Sequence, residues 1–358
     1  MTALEPILEA QARAALMQYG LGDARLRVLG GGLINVSLRV DAPDGRRWVL
    51  QRLHAVFDPA VNLNLDCVTR ELARTGMPTP LLLRTSAGAP WVTIDDRHWR
   101  VLSYVEGRSV DAISEPALAR EAGRLLASFH RALADFREPL PLQRPTVHEP
   151  HRHFAALRAA RTRHADHRHA AAVGELAAEI DALFAGLPDL PGAPLRLVHG
   201  DPKISNLLFD GAGHGLCLVD LDTLARAPLC FELGDAFRSW CNPGPEDAAA
   251  PVFSGELFLA ALEGYASVAR DFMTPAERAS VVPATAAVYL ELTVRFAADA
   301  LEERYFGWDP ARYATRGDHN LARARNQLAA ARDLLRQHAP LARAAERLLA
   351  AGDADPAA

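Results

Sequence analysis

Residues 197–223 read LVHGDPKISNLLFDGAGHGLCLVDLDT, and the fold follows from how this stretch is read. Two short apolar runs, 195–199 and 216–220, are bounded by glycine and aspartate, which marks them as strands. The polar residues between and after them are spaced as phosphoryl transfer requires. Catalysis of that reaction is mostly positioning plus neutralisation of developing negative charge. Asp201 sits where a loop leaves the first strand, placed to accept the proton of an acceptor hydroxyl. Five residues later Asn206 offers an amide oxygen, a hard neutral ligand suited to Mg²⁺. Asp220, at the end of the second strand, offers a carboxylate to the same ion. Lys203 can meet the transferred phosphate as a point charge. Asp222 is either a ligand of a second ion or a brace for Asp220. Each residue alone is ordinary loop chemistry, and His199 reads as a structural hydrogen bond; the joint pattern carries the reading.

Upstream, apolar residues at helical spacing over 6–17 are followed by Gly20 and Gly22, which predicts a short helix. The period then changes to that of strands: 25–29, a glycine turn at 30–32, 33–41, an Asp44-Gly45 hairpin signal and 48–53. A helix over 61–75 and strands near 90–94 and 99–105 complete a compact α+β unit. Beyond it the chain is helical: 116–136, a proline-rich connector over 139–150, a helical stretch over 153–184, and nearly everything after 255. Residues 352–358 read as a frayed tail.

The chain has 358 residues, enough for two lobes and a sizeable core. A net charge of −5 argues against a nucleic-acid partner. No uninterrupted apolar run approaches the ~18 residues of a membrane span. The start of the chain lacks the basic region of a secretion signal, and Cys67, Cys217, Cys230 and Cys241 form no CxxC pair, so reduced thiols and a cytoplasmic protein are expected.

The segments HGDPKISNLLFD and LVDLDT resemble the aminoglycoside phosphotransferase and choline kinase superfamily. Within it the likeness is greatest to the N-acetylhexosamine 1-kinases. It extends to Gly31-Gly32-Leu33-Ile34-Asn35, Val49-Leu50-Gln51-Arg52, Cys67-Val68-Thr69, Gly234-Asp235-Ala236-Phe237-Arg238 and residues 319–325. The resemblance implies a two-lobed, protein-kinase-like α+β fold. A small antiparallel-sheet N-lobe (1–104) would precede a larger helical C-lobe (105–351) and the tail. It implies transfer of a γ-phosphate from ATP or another nucleotide, with Mg²⁺, to a sugar, most closely the anomeric hydroxyl of an N-acetylhexosamine. By this likeness Asp201 is the base, and Asn206 and Asp220 hold the metal. Gly31, Gly32 and Asn35 lie at the nucleotide, whose adenine lies against Ser103, Tyr104 and Val105. Arg295, Tyr305 and His151 lie near the acceptor, and Glu232 has a structural role beside the catalytic loop.

The sequence departs from the pattern on the third strand, where kinases usually carry a lysine for the α- and β-phosphates. Strand side chains alternate, so Arg52 shares a face with Leu50 and Gln51 takes the other; Arg52 is the residue expected to supply the charge. Asp66 or Glu71 would orient it. Other readings stay open: a different acceptor (aminoglycoside, choline, homoserine or methylthioribose), a non-catalytic nucleotide binder, or a metal-binding role for the histidines between His148 and His169.

Overall fold

The computed structural model describes residues 5–29, 35–143, 145–188, 190 and 192–350. The glycine turn at 30–32, with Gly31 and Gly32, and the tail at 352–358 lie outside the described residues.

Helix α1 (Pro6–Met17) begins with proline in its first turn and turns its Ala12, Ala15 and Leu16 inward. Strands β1 (Arg25–Val28), β2 (Val36–Asp41) and β3 (Arg47–Arg52) form an antiparallel meander. The β2–β3 turn is closed by Gly45 at φ 86°, as the Asp44-Gly45 pair predicts. Helix α2 (Val61–Arg74) stops at Gly76, φ 82°. Strands β4 (Leu82–Leu83), β5 (Val92–Ile94) and β6 (Arg97–Ser103) complete a six-stranded sheet in the order β1-β2-β3-β6-β4, with β5 also paired to β6. Alternation sorts its residues by face. Leu38, Val40, Leu50, Trp99 and Val101 pack under α1 in one core, whereas Leu102 and Val49 join the other core, with α2 and the helices beyond.

The second core is built from helices. Helix α3 (Pro116–Ala132) is followed by α4 (Pro150–Arg163) and α5 (Ala170–Ala185). The single helical stretch expected over 153–184 is thus two helices. His164 leaves the helical region at ψ 39°, and the Asp- and His-rich turn after it is a poor helix former. Strand β7 (Leu195–Val198) pairs with β10 (Ala225–Pro228), and between them β8 (Leu207–Phe209) pairs with β9 (Gly215–Leu218). Helix α6 (Leu229–Trp240) follows, then α7 (Gly255–Ala269), α8 (Pro275–Glu302) and α9 (Arg316–Leu349). Helices α3 and α7 touch through two glycines: a Cβ on Gly123 would lie 1.9 Å from Ala261 O, and one on Gly264 1.9 Å from Arg120 O.

Capping boxes at Thr274/Glu277 and Thr315/Asp318 fix the starts of α8 and α9. Helix α8 is apolar and long enough for a membrane span by composition, but 89% of its most apolar window is buried inside the protein. It is the central core helix, packed on α4, α5, α6 and α9. The four cysteines are unpaired.

Candidate active site

The loop after β7 is held by one buried carboxylate. Glu232, on α6, accepts the His199 N–H at 2.8 Å on Oε1 and the Gly200 N–H at 2.9 Å on Oε2. His130 Nε2 lies 3.4 Å from Oε1. Burial alone would raise the pKa of Glu232; His130, His199 and the Gly200 N–H outweigh it and hold the group below its ordinary value. His199 Nε2 donates to Val219 O at 2.9 Å, and its Nδ1 accepts the Asp201 N–H at 3.3 Å. Trp240 Nε1 donates to Pro202 O, and Ser239 Oγ accepts the Ile204 N–H. Gly200 has φ 84°, and a Cβ there would fall 2.4 Å from Thr223 O, so only glycine fits.

On this scaffold the four residues read as one group from the sequence come together. Lys203 Nζ meets Asp201 Oδ2 at 2.6 Å. Burial opposes the charge of Lys203, but Asp201, Asp220 and Asp235 hold its pKa above the ordinary value. The Asn206 amide nitrogen donates to Asp201 O at 2.8 Å and to Oδ2 at 3.2 Å, which leaves the amide oxygen to face an ion. Asp220 has left-handed backbone, φ 62° and ψ 53°, an uncommon state for a residue with a Cβ. Its pKa is raised by burial and by the charge of Asp222, so a cation beside it would be favoured. Among the described residues no three His, Cys, Asp or Glu side chains are placed to hold a metal between them. One carboxylate and one amide suit Mg²⁺, which typically keeps waters and shares substrate phosphates.

Asp222 has a different environment. It is paired with Arg100 of β6, the two side chains being 0% and 1% exposed, and its Oδ2 accepts from Asn35 Nδ2 at 2.7 Å. Asn35 Oδ1 in turn accepts the His54 N–H at 2.9 Å, so both ends of this candidate nucleotide residue are engaged within the protein. The expectation for Arg52 does not fit its placement. It pairs with Trp99 in the ladder and lies over that ring at 5.9 Å, on the α1 side of the sheet. The other face presents Ser37, Gln51 and Arg100 in register. Asp66 and Glu71 reach neither arginine: Asp66 pairs with Arg70 and Arg84, and Glu71 with Arg74. At the end of β6, the Ser103 and Tyr104 N–H groups are spent on Leu81 O and Arg47 O, and Val105 follows the last of these bonds.

The acceptor candidates divide. Arg295 and Tyr305 line a cavity of about 610 Å³ with Gln143, Arg152, His153 and Phe57 among its walls. His151 is not among them; its ring stands against Phe184 and the residue is exposed. His153, two residues on, takes the wall position. Behind it lies a buried cluster absent from the sequence reading. His148 Nδ1 is 3.3 Å from Glu291 Oε1 and its Nε2 3.8 Å from Asp235 Oδ2; His153 Nε2 is 3.5 Å from Glu291. Burial opposes the charge on His148, but Asp235 and Glu291 carry its pKa up to about 9. Arg238 binds Asp235 at 2.8 Å. A signal existed: Glu291 is the lone charge in the run VYLELTV. The histidines at 164–169 form no metal cluster among the described residues; His167 and His169 pair with Glu303 and Asp318.

A family model described as the phosphotransferase enzyme family matches residues 25–270. Among solved structures the chain is similar to an aminoglycoside phosphotransferase from Alicyclobacillus acidocaldarius, at 19% identity and a TM-score of 0.60 over 94% of this chain and 97% of that one. It is similar to a microcompartment-associated aminopropanol kinase, at 18% identity and a TM-score of 0.63 over 92% and 98% of the two chains. A third is amicoumacin kinase in complex with AMP-PNP, Ca²⁺ and Ami, at 16% identity and a TM-score of 0.60 over 85% and 87%. These likenesses establish the fold, a protein-kinase-like α+β architecture with an antiparallel sheet and a helical lobe.

Proposed function

The chain belongs to the phosphotransferase enzyme family and is a small-molecule kinase of that type; on this premise we propose that it phosphorylates a sugar, at the anomeric hydroxyl of an N-acetylhexosamine, using ATP and Mg²⁺. The observation that carries the choice of acceptor is the charge state of the 610 Å³ cavity. Its three carboxylates are already committed. Asp299 accepts the N–H groups of Arg304, Tyr305 and Phe306 and the Asn320 amide. Glu302 pairs with Arg163 and Arg304, and Asp58 caps the Ala60 N–H. Arg295 has no carboxylate partner among the described residues and lies over the Phe306 ring at 5.6 Å. A polycation entering here meets arginines; a neutral sugar meets donors and aromatic faces, which is how such pockets fix uncharged polar ligands.

In this reading Asp201 receives the proton of the attacking hydroxyl. Lys203, 2.6 Å from it, supplies positive charge for the phosphoryl group as negative charge develops there. The Asn206 oxygen and Asp220 would hold Mg²⁺, which when bound neutralises the β- and γ-phosphate oxygens. Glu232 keeps the loop carrying Asp201 in place. A chain of contacts links the cavity wall to this loop: His153 meets Glu291, His148 lies between Glu291 and Asp235, and Asp235 lies within the field of Lys203.

A second reading, an amine-bearing acceptor, has one observation in its favour, the buried carboxylates Asp235 and Glu291. Protonated His148 and Arg238 already balance them. ADP release measured over N-acetylhexosamines, neutral sugars, amino alcohols and aminoglycosides separates the two. Turnover with N-acetylhexosamines and phosphate on the anomeric carbon by NMR is expected. Preference for an amine-bearing acceptor would replace the sugar reading.

A further inference from the structure

Opposite Arg100, strand β3 brings no cation to this face of the sheet: Gln51 stands there, Arg52 points to the α1 side, and Arg47, which shares the face of Gln51, lies at the far end of the strand against Glu106 and the Tyr104 ring. The cation at that place comes from the neighbouring strand. Arg100 is paired with Gln51 in the β3–β6 ladder and is wholly buried. Its guanidinium is divided among several partners. Nε donates to Gln51 Oε1 at 2.9 Å, and Nη1 donates to Asn62 Oδ1 at 3.2 Å and pairs with Asp222. Nη2 has no hydrogen-bond partner among the described residues. Buried donors without an acceptor are rare in native proteins and call for an explanation. A guanidinium N–H asks for a carboxylate, carbonyl or phosphate oxygen, and phosphate suits it well. Asp220 lies within the field of the same side chain.

We infer that Arg100 is the residue that holds the non-transferred phosphates of the nucleotide, with Nη2 donating to a phosphate oxygen while Nη1 keeps Asp222 in place beside Asp220. The inference rests on the nucleotide-dependent kinase reading above. It gives Gln51 and Asn62 the task of orienting the guanidinium, a part that Asp66 and Glu71 do not play. It also makes Asp222 a partner of Arg100 rather than a ligand of a second ion.

The competing description is a purely structural strut between β6 and the metal-binding loop. Removing Arg100 alone would strand the Asp222 charge in the interior and risk unfolding. The test therefore uses the neutral pair Arg100→Gln/Asp222→Asn together with Arg100→Lys. Calorimetric binding of ADP and of adenosine is measured in EDTA, so that metal ligation plays no part. The double variant is expected to bind adenosine within about twofold of wild type but ADP about 10–100-fold more weakly, the loss of a charge-assisted hydrogen bond. Arg100→Lys keeps the charge but loses the fork, and should weaken ADP by about 3–10-fold at unchanged adenosine affinity. Equal weakening of ADP and adenosine, or unchanged ADP binding, in either variant overturns the inference. If the double variant fails to fold, the ratio for Arg100→Lys decides. Wild-type protein that binds no ADP would instead bring down the nucleotide-kinase reading itself.

Discussion

Glu232→Gln tests how the catalytic loop is held. The carboxylate accepts two backbone N–H groups, at 2.8 and 2.9 Å, in a site only 2% exposed. A glutamine can satisfy one of them with its oxygen, but its amide nitrogen then faces the other donor. Losing one charge-assisted bond costs about 1.5–3 kcal/mol, and stranding the second N–H about 1–3 kcal/mol, so about 2.5–6 kcal/mol in all. For a chain of 358 residues that is a fall in Tm of about 3–8 °C. The loop also carries Asp201, and a displacement of about 1 Å at a reacting group can cost about 100-fold, so kcat should drop by about 10–100-fold in folded variant at 20 °C.

The pH dependence has a definite sign. The folded pKa of Glu232 lies below its ordinary value of 4.5, so its stabilisation is complete above that value. It is lost as pH falls through the folded value, and the variant should lack this part of the acid-side decline. Thermal melts from pH 3 to 8, paired with steady-state kinetics, measure both effects. A variant with wild-type Tm and kcat at neutral pH would refute the claim that Glu232 holds the loop.

Asp201→Asn should slow phosphoryl transfer by about 10²–10⁴-fold with both substrates still bound, read by single-turnover kinetics; retention of more than about a tenth of the rate would reduce Asp201 to orienting the hydroxyl. Asp220→Ala should abolish turnover across a millimolar Mg²⁺ titration, and near-normal kcat there would move the metal to Asp222. Arg295→Ala should raise the acceptor KM by about 10-fold or more while leaving the nucleotide KM unchanged, since Arg295 lines the cavity proposed for the acceptor. Arg52→Ala should leave the nucleotide KM within about twofold, because its guanidinium lies on the α1 face of the sheet.

What the sequence made legible is local. Asp201, Lys203, Asn206 and Asp220 lie within one hairpin's reach of each other, so spacing alone was enough to group them. Helix α1 and the β2–β3 turn were readable for the same reason: proline in the first turn, glycine after the helix, and Asp44-Gly45 act within a few residues. Strands β4, β8 and β10 have two to four residues each and exist because of their partners, so no period could announce them. Alternation correctly placed Gln51 and Arg52 on opposite faces of β3. It could not say which face meets α2 and which meets α1, and the expected role went to Arg52. The lone charge of Arg100 among Trp99, Val101 and Leu102 was the available signal, since an arginine inside an apolar strand must have a partner.

That partner decides a question the two nearby aspartates leave open. Asp220 and Asp222 repel one another, and burying both ionised requires compensating positive charge. Arg100 and Asn35 answer for Asp222 from 122 and 187 residues away along the chain, distances at which no motif operates. Asp220 receives no such bond among the described residues. Its pKa is pushed up by burial and by the charge of Asp222, and its backbone sits in the left-handed region, turned by the bend that follows β9. The pair is therefore unequal by construction: one carboxylate is neutralised by the sheet, and the other is left wanting a cation next to Asn206. In the proposed reading a metal entering this loop would go to Asp220, because the sheet has already claimed Asp222.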